Sequence, residues 1–375
     1  EKMNRAKVYV FIFLFGLLIL PETLIAQKKE SSKNKKENIS SGEIEIIKLV
    51  KLVDRNPTDY KSRVDLAFSF LNNGMYNKAT EEFQTAINLN SKGSEAYSGL
   101  GAALINLGAP KEAIKYLEKA IKLNPKLVDA YNNLGNAYFL TQQLDKAIKE
   151  LEKAVKIDPK HIDSHNNLGS AYLYKGLYDK AINEFNKVLK INPEFIMAYN
   201  NIGLVYYRKF MFDKAEKYYK LALKKNPDYS EAYFNYGNLL ITEGKLEEAI
   251  KKFEKAIKIS PNFEAAKSNL KAAKDELERN KKEIAQGKMR VRHILVKTRK
   301  EAEQILKRLK KGESFIKLAS EYSIDPSGKY GGDTGFFKKG DMVKEFENAV
   351  LKLKRNQLSG IVKTKAGYHI ILRIY

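Results

Sequence analysis

The sequence has no cysteine, which excludes a disulfide framework, a thiol nucleophile and a thiolate metal site, and leaves no side chain to carry an N-terminal lipid. Zinc knuckles and glycine-rich phosphate loops are also missing. Histidine is scarce, with four in 375 residues, so imidazole chemistry has few places to reside. Acidic side chains are outnumbered, 45 against 68 basic ones, for a formal net charge of +23. Such an excess can draw acidic chains, anionic lipid or nucleic acid. In a lysine-rich helical sequence it mainly coats solvated helix faces, and no nucleic-acid partner is expected. Long hydrophobic runs are rare too. The one from Val8 to Leu20 follows Lys2, Arg5 and Lys7 and precedes Pro21 and the small residue Ala26. It is shorter than the ~20 residues of a spanning helix, and this layout is that of a secretory signal. Residues 1–26 are therefore expected to be a signal peptide or N-terminal anchor, and membrane contact is expected only there. The protein is then exported, to a bacterial periplasm or the outer face of the cytoplasmic membrane.

Residues 27–42 are polar, charged and free of aromatics, as in a disordered spacer. Ile46 to Val53, before Pro57, reads as a lone capping helix within residues 43–59. A repeat follows. Gly101, Gly135, Gly169, Gly203 and Gly237 recur every 34 residues, as do Ala79, Ala113, Ala147, Ala181, Ala215 and Ala249. Pro125, Pro159, Pro193, Pro227 and Pro261 close the units at the same interval. A fixed period of this length means stacked helical hairpins. The small residues permit close helix crossing, and Tyr97, Tyr131, Tyr199 and Tyr233 supply bulk between hairpins. His165 takes that tyrosine slot and is read as packing. His161, four residues earlier, falls at an inter-repeat turn without a third ligand nearby, so no metal is expected. Residues 60–263 resemble six tetratricopeptide repeats, the first with Ala67 for the glycine and Ser91 for the proline. Asn133, Asn167, Asn201 and Asn235 recur on the first helices at the same spacing. They resemble the asparagine ladder with which some solenoids hold extended chains; the alternative is that they only bridge neighbouring helices.

Past Pro261 the signature fades into a charged helix, and residues 264–288 read as a capping and connector segment ended by Gly287. Residues 289–375 change period. "VRHILVK" is strand-like and "KEAEQILKRLKKG" and "SFIKLASEYS" are helical. The stretch around Gly328, Gly331, Gly332 and Gly335 is turn-rich, and a helix near Glu345–Leu351 leads to two last strands. This order gives a small α+β domain with a four-stranded antiparallel sheet. The fold class is thus multidomain, an all-α solenoid followed by that domain. His369 lies inside the last apolar strand, and His293 inside the first.

The segments "RHILVK", "FIKLASEYSIDPSGKYGGDTGFF", "GDMVKEFENAV" and "GYHIIL" resemble, in order, the parvulin-type peptidyl-prolyl cis/trans isomerases. The resemblance implies that His293 and His369 lie side by side at the sheet centre, with Asp325 and Thr364 completing a catalytic set. It further implies that Phe337, Met342 and Phe346 form a proline pocket, and that no cofactor is needed. Lys344 and Glu345 depart from the apolar pair frequent in the family, as do Thr334 and Ala366 from an aliphatic residue and a serine. The short "KTRKEAE" link lacks the basic loop of phosphate-directed relatives, so phosphoserine-proline specificity is not expected. The expected function is isomerase and folding factor for exported proteins. Its partners are unfolded or proline-containing polypeptides, and the repeat groove holds those clients or a partner protein. The alternative is a non-catalytic peptide-binding scaffold.

Overall fold

The computed structural model describes residues 41–375, so the segment read as signal peptide or anchor and nearly all of the spacer lie outside the described residues. The described chain forms two compact units, one ending at Asn201 and one running from Ile202 to Tyr375. No helix among the described residues is long and apolar enough to cross a membrane.

In the first unit, α1 (Ser41–Arg55) precedes four helical hairpins. These are α2 (Tyr60–Asn72) with α3 (Tyr76–Leu89), α4 (Ser94–Asn106) with α5 (Pro110–Leu123), α6 (Val128–Leu140) with α7 (Leu144–Ile157), and α8 (Ile162–Tyr174) with α9 (Tyr178–Ile191). Helix α1 starts at Ser41, inside the expected spacer, and Ile46 and Val53 join the core of the first hairpin. The reason for the glycine column is steric. A Cβ on Gly101, Gly135 or Gly169 would come within 2.5, 2.5 or 2.7 Å of Leu117, Leu151 or Phe185, the large buried side chain of the paired helix. In the first repeat Ala67 closes that space, and the ring of Phe83 rests on Gly99 of the next hairpin instead. A second column accompanies the prolines. Asn90, Asn124, Asp158 and Asn192 each accept, through Oδ1, the backbone N–H two residues on, at 2.9–3.0 Å. This side-chain turn reverses the chain without a proline, which explains why Ser91 is tolerated.

His165 is nearly inaccessible, with Nδ1 2.6 Å from Glu184 Oε2 and Nε2 3.0 Å from the Pro159 carbonyl. Tyr199 reaches the equivalent Pro193 carbonyl with its hydroxyl at 3.0 Å, so imidazole and phenol brace the same turn. His161 faces Ser164 and Asp129. The ladder asparagines also have partners: Asn167 Nδ2 donates to Asn132 Oδ1 at 3.0 Å, and Asn201 Nδ2 to Asn166 Oδ1 at 3.1 Å. Each link joins the first helices of successive hairpins, and the acceptors Asn132 and Asn166 are buried.

The second unit begins within α10 (Ile196–Arg208) and continues through α11 (Phe212–Lys225), α12 (Ser230–Glu243), α13 (Leu246–Ile259) and the long α14 (Glu264–Ala285). Gly203 and Gly237 receive Tyr219 and Phe253 as the earlier glycines receive their partners. After Gly287 come β1 (Met289–Val296), α15 (Arg299–Lys310), α16 (Phe315–Tyr322), a 3-10 turn (Pro326–Tyr330) and β2 (Asp333–Phe337). Helix α17 (Lys344–Leu351), β3 (Val362–Thr364) and β4 (Gly367–Arg373) complete the domain. The sheet order is β2-β1-β4-β3 and every pair is antiparallel. Alternation divides the central strands into two faces. Ile294, Val296 and Ile370 pack with Ala302, Ile305 and Leu318 of α15 and α16, whereas Val291 and Ile371 pack with Phe337, Phe346 and Val350. In the β1–β4 register His293 pairs with Ile371 and Leu295 with His369, which puts both histidines on the second face.

Candidate active site

The register leaves the two imidazoles one step apart on neighbouring strands. Their rings stack at 5.4 Å and 15°, and their Nδ1 atoms are 3.1 Å apart. Both residues are buried. At the far side of His293, Nε2 lies 3.3 Å from Asp325 Oδ1 and 3.2 Å from Ser327 Oγ. At the far side of His369, Nε2 lies 2.8 Å from Thr364 Oγ1. The four residues assigned from the sequence thus form one continuous chain. Its ends set the proton positions. The Asp325 carboxylate can only accept, so His293 Nε2 carries hydrogen. Thr364 Oγ1 already accepts the Ala366 N–H at 3.1 Å, so its hydroxyl donates to His369 Nε2. The remaining His369 Nδ1–H then donates to His293 Nδ1, and every donor along the chain points toward Asp325.

Electrostatics agree with that order. Burial, with His293 as the second cause, lowers the His369 pKa to about 4, because a proton added there is both desolvated and repelled. Asp325 is held far below the ordinary carboxylate range, first by its hydrogen bond with His293 and then by the Ser327 hydroxyl and backbone N–H. The N–H of Ser327 donates to Oδ1 at 2.8 Å while Asp325 caps the 3-10 turn. Its side chain remains 30% exposed, so the chain ends on a charge open to solvent.

Phe346 covers the pair edge-on, with centroids 5.5 Å from His293 and 5.3 Å from His369. Phe337 stands 6.4 Å from Phe346. Both phenylalanines are only 4% exposed and belong to the buried cluster, while Met342 is partly accessible on its edge. Of the three residues expected to form the pocket, Met342 therefore presents side-chain surface, and the two aromatics lie buried beneath. The departures Lys344 and Glu345 are exposed in the first turn of α17 and do not enter that floor.

Several contributors were missed in the sequence. Glu347 is buried and its Oε1 accepts the N–H of Gly340 at 2.6 Å and of Met342 at 3.2 Å, fixing the loop that carries Met342. An acid in the first turn of a helix behind a glycine turn was the available signal. Gly332 accepts the His293 N–H at 2.8 Å with φ +79°, and a Cβ there would lie 2.3 Å from the His293 carbonyl oxygen. Arg290, three residues before His293, donates to Asp333 at 3.0 and 2.8 Å and to Glu276 of α14 at 3.0 Å. Strand β1 is thereby tied to helix α14.

Comparison with known proteins accords with this geometry. The profile of the PPIC-type PPIASE domain matches residues 275–373. Tetratricopeptide-repeat profiles match residues 94–127, 116–149, 135–176, 169–209 and 194–262. The chain is a tetratricopeptide-repeat array followed by a PPIC-type rotamase domain. It is similar to the foldase protein PrsA of Geobacillus sp. (strain WCH70), 59% identical over 85 residues, which are 22% of this chain and 31% of that protein. It is also similar to the foldase protein PrsA of Bacillus subtilis (strain 168), 47% identical over 109 residues, 29% of this chain and 37% of that protein. The chain thus spans about a third of the length of these relatives. Among solved structures, a tetratricopeptide repeat protein from Parabacteroides merdae has TM-score 0.53 at 18% identity, over 67% of this chain and 98% of that one. The Cut9-Hcn1 hetero-tetramer of the APC/C has TM-score 0.56 at 20% identity, over 66% and 48%. These two likenesses show the fold.

Proposed function

We propose that the rotamase domain catalyses cis/trans isomerisation of prolyl bonds in exported polypeptides, and that the repeat array holds those clients. The observation that carries this reading is the continuous Asp325–His293–His369–Thr364 chain beneath Phe346, in a domain 59% identical to that of a foldase. The amide barrier is ~18–20 kcal/mol because resonance makes the C–N bond partly double, and no covalent bond has to break. An apolar seat at Met342, floored by Phe346 and Phe337, grips the prolyl ring while the preceding carbonyl turns. The ionised Asp325 disfavours negative charge on that carbonyl oxygen, hence the charge-separated resonance form that resists twisting. A ~10⁴-fold acceleration takes about 5.5 kcal/mol of transition-state preference, which such a site can supply without a nucleophile. The histidine pair positions Asp325 and holds the sheet centre rigid.

Asn133, Asn167, Asn201 and Asn235 would present amides to the backbone of an extended client, which reads no side chains and so suits varied clients. Their helix-bridging bonds hold the side chains of Asn167 and Asn201 in place. Export to a bacterial periplasm or the outer face of the cytoplasmic membrane, directed by residues 1–26, would place the protein with unfolded secreted chains. A protease-coupled proline-peptide assay on the whole chain tests the reading. Acceleration over the uncatalysed rate that falls in Asp325→Ala supports it. A rate equal to the peptide alone would leave a non-catalytic binding module.

A further inference from the structure

A mostly apolar cavity of the second unit lies away from the histidine chain, on the other face of β1. It measures about 360 Å³, within the ~300–1,000 Å³ usual for ligand pockets. Phe210, Ile241, Ala272, Ile316 and Ile374 give it apolar walls drawn from the last repeats, α14 and the rotamase domain. Its charged groups are not balanced. Glu276 and Asp333 are both engaged by Arg290, at 3.0 and 2.8 Å. Arg292 and Lys329 also line the wall, and Asp333, the acid that acts on Arg292, is shared with Arg290, so three cations face two carboxylates there. Arg292 donates only to two carbonyls, Thr242 at 3.2 Å and Gly331 at 3.4 Å, and Lys329 lies over the ring of Tyr330. A half-buried guanidinium that shares its counter-charge with a second arginine is incompletely compensated. Burial indeed lowers the Arg292 pKa. No part of the catalytic chain faces this space, so isomerisation leaves it unexplained.

We propose that this cavity binds an apolar body ending in a carboxylate, with the apolar part between Ile241, Ala272 and Ile316 and the carboxylate on Arg292, assisted by Lys329. The negative charge in short supply around the cavity is the one such a ligand brings. Free amphiphilic acids and the carboxyl end of an apolar peptide share this chemistry.

Calorimetric titration of the whole chain with sodium decanoate tests the proposal, with 1-decanol as the uncharged control. One decanoate is expected per chain, at least tenfold tighter than decanol. Arg292→Gln should weaken decanoate at least tenfold, and the exposed Lys329→Gln, which is safe for folding, severalfold. Ala272→Phe, which fills the cavity, should abolish binding while isomerase activity is unchanged. Displacement of decanoate by N-acetyl-Leu-Phe carboxylate, and not by its amide, assigns the site to peptide ends; no displacement assigns it to free acids. Equal affinity for decanol and decanoate would overturn the proposal, as would absence of decanoate binding. Binding that survives both Lys329→Gln and Ala272→Phe unchanged would overturn it as well. None of these outcomes bears on the isomerase reading, which the proline-peptide assay decides separately.

Discussion

Lowering the pH through the titration range of His369 should cost the rotamase domain a defined amount of stability. An unfolded histidine titrates near ~6.5, whereas in the fold burial and His293 bring this one to about 4. Between those values the unfolded chain binds a proton that the folded domain refuses, so stability rises with pH across the window. The contribution is fully present above ~6.5, falls as pH drops toward about 4, and is flat below. At ~1.36 kcal/mol per unit, a gap of about 2.5 units corresponds to roughly 3 kcal/mol. Asp325 and Asp333 have lowered pKa values and lose their contributions only below the ordinary Asp range, so the windows separate. The direct assay is the imidazole carbon-bound proton shift of His369 followed by NMR from pH 7.5 to 3.5, assigned by its disappearance in His369→Gln. Urea denaturation of wild type and His369→Gln over the same range gives the energetic counterpart: the stability difference should shrink by about 3 kcal/mol on acidification. In His293→Asn the repulsion disappears, and the His369 midpoint should move part of the way back toward ~6.5. A midpoint within half a unit of ~6.5 in the wild type would refute the buried, mutually repelling pair.

The remaining expectations concern the site and its supports. Asp325→Ala should slow proline-peptide turnover while Asp325→Cys retains part of it, and equal rates in both variants and wild type would return Asp325 to a turn-capping role. Because Phe346 is 4% exposed, Phe346→Ala should destabilise the domain by about 3–5 kcal/mol; Met342→Ala, at a partly accessible position, should instead lower kcat/KM with little change in the unfolding midpoint. Arg290→Met leaves Asp333 and Glu276 without their shared cation and should cost about 3–5 kcal/mol in urea titration. The double variant Asn167→Ala, Asn201→Ala should weaken binding of an extended unfolded polypeptide at least tenfold, equivalent to ~1.4 kcal/mol, and unchanged affinity would leave these asparagines as helix bridges alone.

Much of this architecture could be read from the sequence because its physical causes are local or periodic. Glycine, alanine and proline every 34 residues specify a hairpin and its crossing, and the coordinates supply the reason in the large side chain that each glycine admits. His293 and His369 could be placed on strands because they interrupt apolar runs, and two histidines on one sheet face follow once the register is known. The register itself is a tertiary fact. So are the donor direction along the chain and the low pKa of His369, which need the distances to Asp325 and Thr364. The sequence resemblance implied that Phe337 and Phe346 line a pocket with Met342, and only packing revealed that the two aromatics are buried while Met342 lies on the accessible edge of their cluster. Arg290, Arg292, Glu276 and Asp333 look in sequence like four ordinary surface charges of a lysine-rich chain. Their pairing spans 14 to 50 residues, so which charge is matched and which is left facing a cavity depends on where α12, α14 and the sheet meet. Local preference and periodicity are properties of neighbouring residues, whereas charge balance in a buried space belongs to the packed fold alone.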